Sequence, residues 1–269
     1  MGRGEYATGV ELFLAAVPGP DATGPGSLAV VGLLTELGVA CKMAGRFDEA
    51  AGHYTRALAL LEELTGSDAA GAACDEMADL LHNVGGLAHA RHRFGEGVAP
   101  ARRGLALRQR LPVSDAVAVA LDQAALAALL EGAGDLAEAE GLYRAAVAVL
   151  DAAGEGHDAA MARSGLGSAC QSLGRWDEAE HHYRAALAQL DDPAGADHPD
   201  LGHVLNNLAT LHRRRGEDEE ARVLLARAQD LLERTLGPDH PVTVEVAANR
   251  RRVDSGPSPY IRAHRQSSA

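Results

Sequence analysis

Along much of the chain, small apolar residues recur four and three positions apart around one large residue. Ala50, Tyr54 and Ala57 form such a set, and so do Ala139, Tyr143 and Ala146, then Ala179, Tyr183 and Ala186, then Ala221, Leu225 and Ala228. Steps of four and three put all three side chains on one face of a helix. A glycine stands ahead of each set, at Gly45, Gly134, Gly174 and Gly216, and an apolar-periodic stretch precedes each glycine. Glycine readily takes the left-handed conformation that ends a helix. Acids follow it closely: Asp48 and Glu49, Glu138 and Glu140, Asp177 and Glu178, Glu219 and Glu220. Negative charge there suits the unpaired N–H groups that open the next helix. The pattern predicts pairs of helices joined by tight turns. The alanines let the first helix of a pair approach, and the large residue fills the gap.

A degenerate fifth copy begins at His92, so the anchors are Gly45, His92, Gly134, Gly174 and Gly216, separated by 47, 42, 40 and 42 residues. Five copies at near-constant spacing read as structural units rather than as five copies of one active site. Helix pairs repeating in this way stack so that each contacts only its neighbours. The second copy departs from the rest. It carries His92 in place of glycine, Gly97 and Gly104 in place of alanine, Ala101 in place of tyrosine, and Pro100 inside its second helix. Proline removes a backbone donor and crowds the preceding turn, so that helix is expected to start late or to kink at Pro100. The extra residues around Thr65–Ala73 lengthen either the connection or the first helix. This repeat is the expected weak point.

The stretches LNNLATLHRRRGEDEEA from Leu205, LGPDHPVTVEVA from Leu236 and DHPDLGHVLNNLA from Asp197 resemble the tetratricopeptide repeat family. The resemblance is to its kinesin-light-chain-like subtype, of roughly 42 residues per repeat and common in bacterial multi-repeat proteins. A fainter trace, VPGPDATGPGSLAV, starts at Val17. The resemblance implies an all-α fold, a right-handed superhelical solenoid of antiparallel helix pairs, with a concave groove lined mainly by the first helix of each pair. It places repeats at about 28–66, 67–111, 112–153, 154–195 and 196–237. Partial end units fall at 10–27 and 238–253, making one solenoid over 10–253, with disordered ends at 1–9 and 254–269.

Composition narrows the function. Aromatics are 3% of the residues, so the core must be built from closely packed Ala, Leu and Val. A net charge of −13 argues against nucleic-acid binding, which needs clustered cations facing phosphates. Cys41, Cys74 and Cys170 are odd in number and form no close pair, which points to a reducing compartment. The apolar runs fall short of the ~20 residues that span a membrane. These features predict a cytoplasmic protein with no membrane partner. Phosphate-loop, nucleophile-elbow and kinase-loop motifs are missing, so the expectation is a protein that is no enzyme and needs no cofactor. His181 and His182 are adjacent and point about 100° apart on a helix. They read as surface residues, and the sequence predicts no metal site.

The groove candidates are Asp79, His82 and His89 in the second repeat, Ser164, Ser168 and Gln171 in the fourth, and His203, Asn206, Thr210 and Arg213 in the fifth. Thr35, Val39 and Lys42, then Leu121, Ala124 and Ala128, hold the matching slots of the first and third. Asn can bond an extended backbone and Arg can pair a carboxylate. The expected function is a scaffold binding a protein or peptide partner through this groove. The lysine-and-asparagine carboxylate clamp of chaperone-binding relatives is missing, since Lys42 is the only lysine. The alternative is a regulatory or sensor partner of a separately encoded bacterial signalling ATPase, protease or transcription regulator. The alanine-rich faces and the chain ends also allow homo-oligomers.

Overall fold

A computed structural model of the chain describes residues 27–64, 70–111, 115–191 and 198–256. Eleven helices and no strands are found among them. They are α1 (Ser27–Met43), α2 (Phe47–Leu64), α3 (Ala70–Ala90), α4 (Phe94–Arg108), α5 (Ala116–Ala133) and α6 (Leu136–Ala153). There follow α7 (Gly156–Ser172), α8 (Trp176–Leu190), α9 (Pro199–Arg215), α10 (Asp218–Thr235) and α11 (Pro241–Asp254). Of the expected ends 1–9 and 254–269 and the partial unit 10–27, residues 1–26 and 257–269 lie outside the described residues. Asp254, expected in the tail, instead closes α11.

The turns inside pairs follow from the anchors. Gly45, Gly134, Gly174 and Gly216 all have positive φ, between 77° and 97°. His92 takes the same conformation without being glycine, at φ 54°. The hydrogen bonds match as well. At Gly174 the glycine N–H donates to Gln171 O and the Arg175 N–H to Cys170 O. At His92 the same two bonds run to His89 O and Ala88 O. The second repeat thus keeps its turn at a conformational cost. Its second helix does not start late: α4 begins at Phe94, two residues after its anchor as in the other pairs, and runs on through Pro100. The extra residues lengthen the first helix, since α3 has 21 residues.

The chain falls into two compact units, Met1–Leu142 and Tyr143–Ala269, and α6 crosses the division. In the first unit α1 packs on α2, α3 on α4, and α3 on both α1 and α5. In the second, α7 packs on α8, α9 on α10, and α9 on both α7 and α11. The first helices of successive pairs are therefore neighbours within each unit. Every alanine and large residue of the four repeated sets is buried. Leu34, Leu37, Leu61, Met77 and Leu80 fill the first core around Tyr54, and Leu205, Leu231, Leu232 and Val246 fill the second around Leu225.

One helix differs from the apolar-run expectation. α5 is long and apolar enough to cross a membrane by length and composition. Here it packs on α3 and α4, and it carries Asp122, buried in an ion pair with Arg108. Cys41, Cys74 and Cys170 form no disulfide, Cys41 and Cys170 are buried, and burial pushes the Cys41 thiol pKa up. Both fit packing positions.

Candidate functional site

Asparagines and arginines gather on the first helices of the second unit. Asn206 on α9 accepts a hydrogen bond from Asn249 Nδ2 on α11 at 2.9 Å. Asn249 Oδ1 accepts one from Arg252 at 2.9 Å, and Arg213 donates to the Arg252 carbonyl at 3.0 Å. One pair earlier, Asn207 Nδ2 reaches Ser164 Oγ on α7 at 3.4 Å. Both cross-helix bonds join residues 43 apart, about one repeat. Thr210 turns its hydroxyl back onto the Asn206 carbonyl at 2.9 Å. Asn206, Thr210, Arg213 and His203 are half-buried. They keep polar atoms at the surface beside Arg252 of α11.

Two expected groove residues of the fourth repeat lie deeper. Ser164 is 4% and Gln171 9% exposed. Gln171 accepts the Tyr183 hydroxyl at 3.2 Å, so it serves the core contact inside its pair. Ser168 is half-buried on the same helix.

In the first unit the candidates enter an ion cluster. Arg108 of α4 is buried among three carboxylates: Asp122 of α5 at 2.6 Å, Asp79 of α3 at 2.6 Å and Asp75 of α3 at 3.3 Å. Burial opposes the guanidinium charge, but hydrogen bonds to Asp122 and Asp79 outweigh it and hold its pKa above the ordinary value. His82 meets the other Asp122 oxygen at 2.8 Å. Asp79 and His82 therefore tie α3 to α4 and α5 while keeping exposed edges. His89 is elsewhere: its ring stands edge-on to Phe94 at 5.3 Å, with His92 against the same ring at 5.7 Å. Burial lowers the His89 pKa. Thr35 bonds its own helix through the Val31 carbonyl, and burial lowers the Lys42 pKa.

The sequence reading missed Asn207, Asn249 and Arg252, although adding one repeat spacing to Asn206 leads close to Asn249. It also missed Arg108 and Asp122. A lone carboxylate in the apolar run of α5 was the available signal, because a buried charge needs a partner. A third arrangement joins helix starts: His157 Nε2 lies 3.0 Å and His198 Nδ1 3.4 Å from Asp200 Oδ2. His181 is exposed on α8 as expected, whereas His182 is half-buried, with the two rings edge-on at 5.6 Å.

Residues 158–234 and 200–250 match a tetratricopeptide repeat family model, and residues 33–66 match a second one. Among solved structures, BtubC (BKLC) from P. vanneervenii is 20% identical, with 89% of this chain and 92% of that one covered at a TM-score of 0.63. The nearly identical kinesin light chain repeats of Podosopora anserina are 20% identical over 64% and 83%, at 0.51. The Rap conjugation gene regulator of plasmid pLS20, in complex with the Phr* peptide, is 12% identical over 91% and 66%, at 0.68. These likenesses show the fold. No curated protein matches the sequence.

Proposed function

Because this chain is a tetratricopeptide repeat protein with the fold of the kinesin-light-chain-like repeats, we propose that it works as a scaffold binding a protein or peptide partner. The observation that carries this reading is the row Asn206, Asn249, Arg213 and Arg252 on neighbouring first helices. Asparagine amides present a donor and an acceptor at once, which suits an extended backbone. The arginines suit a carboxylate on the same segment. The peptide held by the structurally similar Rap regulator supports a peptide as the ligand. A micromolar complex, about −8 kcal/mol, is within reach of such contacts.

The test is affinity capture from a lysate of the source organism with wild type and with Asn206→Ala/Arg213→Ala. A partner held by wild type and lost by the variant supports the reading. A partner held equally by both moves binding away from this face and overturns the assignment. A second reading, a regulatory or sensor partner of a separately encoded ATPase, protease or transcription regulator, is favoured by the likeness in fold to a conjugation gene regulator. The two readings part on the identity of the captured protein.

A further inference from the structure

We propose that His157, His198 and Asp200 form a binding site for a divalent transition-metal ion of the zinc type at the starts of α7 and α9. The two imidazoles and one carboxylate come from neighbouring first helices in the second unit. Asp200 Oδ2 is 3.0 Å from His157 Nε2 and 3.4 Å from His198 Nδ1. The three donor atoms all lie within 4.8 Å of one another. Bonds of roughly 2.0–2.1 Å in a tetrahedron set neighbouring donors about 3.3 Å apart. The observed spacing matches that for the two pairs made with Asp200, and the two imidazole nitrogens lie within 4.8 Å of each other. The rings are already in contact, with centroids 4.4 Å apart, and both histidines are exposed, so an ion can enter.

The rest of the chain supplies a comparison. His240 begins α11 as His198 begins α9. Each is followed by proline, and each accepts a backbone N–H two residues on, at 3.4 Å and 3.3 Å. Val242 stands where α9 has Asp200. The cap therefore forms without a carboxylate two residues on, and the His157–Asp200 pair is an addition to it. His198 Nδ1 has a single lone pair, which accepts the Asp200 N–H in a long bond of 3.3 Å. An ion bound at this nitrogen replaces that hydrogen bond, and Asp200 Oδ2, 3.4 Å away, is placed to share the ion. The helix end alone would repel a cation through its dipole. The Asp200 charge offsets this, and neutral imidazoles are the common ligands of such ions. Three protein ligands leave a fourth position for water.

Isothermal titration of the full chain with Zn2+ alone tests this. The expected result is one saturable equivalent whose affinity falls at least tenfold in His157→Ala and in Asp200→Asn. It should be unchanged in His181→Ala/His182→Ala, the other neighbouring histidine pair. The ion should also raise the melting temperature of wild type more than that of His157→Ala, because it joins α7 to α9, and a chelator should reverse the rise. Failure to find a saturable equivalent, or equal affinity in His157→Ala, overturns the proposal. So does loss of binding in the His181/His182 variant alone. None of these readouts depends on the peptide face.

Discussion

The Tyr54 ring of α2 lies directly on Gly38 of α1, so closely that a Cβ at position 38 would stand 2.1 Å from ring carbon Cε1. The same device recurs with Tyr183 on Gly167 and Tyr143 on Gly165. The large residue of each of these sets is thus seated where a facing helix has no side chain. Gly38→Ala gains helix propensity but must displace a fully buried ring. Overpacking of this kind costs about 1–3 kcal/mol, and chemical denaturation should show that loss. Gly52→Ala is the control. Position 52 is exposed with open space around it, so it should gain about 0.5–1 kcal/mol.

Tyr183 is 1% exposed and also bonds Gln171. Tyr183→Ala should cost about 3–5 kcal/mol, the scale of large core truncations. Tyr183→Phe should cost about 1 kcal/mol, the net worth of one hydrogen bond. Equal losses in the two variants, measured by urea titration, would contradict this division between ring and hydroxyl.

His182 lies beside Tyr183 and behaves differently. Burial, then the neighbouring His181, holds its imidazole below the ordinary pKa. The unfolded chain therefore takes up this proton first as pH falls. Its contribution is fully present above the unfolded value, about 6.5, and is lost as pH drops towards the folded one. His182→Gln should flatten the decline in stability below about pH 6.5 and change stability at pH 7 by no more than about 0.5 kcal/mol. Melting temperatures of both proteins between these pH values check it.

The Arg108 cluster separates buried from exposed charge. Asp122 is 5% exposed and Arg108 7%. Asp122→Ala strips a buried cation of its buried partner and should cost about 3 kcal/mol. Asp79 makes an equally short bond to Arg108 but its side chain is 58% exposed. Asp79→Ala should cost less than about 1 kcal/mol. A double-mutant cycle would measure how far the two carboxylates share the guanidinium.

Repeat two carries removable strain. Pro100 sits inside a continuous helix and offers the Glu96 carbonyl no N–H. Pro100→Ala should stabilise by about 1–3 kcal/mol, within the cost of an interior proline. His92 holds a left-handed turn that glycine occupies in the other repeats. His92→Gly should gain about 0.5–1 kcal/mol. Thermal unfolding of each variant tests this directly.

Spacing along the chain already dictates the helix pairs, their turns and the buried set in each pair. A helix face and a turn conformation are local properties, so Ala179, Tyr183 and Gly174 announce their roles through spacing alone. Periodicity also marks Asn206, Thr210 and Arg213 as one face. Which polar residues remain on that face depends on the packing of one helix against another. Gln171 shares the periodicity of a surface position, yet the Tyr183 hydroxyl draws it inward. Asp122 looks like a flaw in an apolar helix until Arg108 arrives from another one. His157, His198 and Asp200 meet because stacking brings the starts of α7 and α9 side by side. Contacts of this kind join different helices, and their distances depend on how neighbouring helices pack, which no single helix encodes.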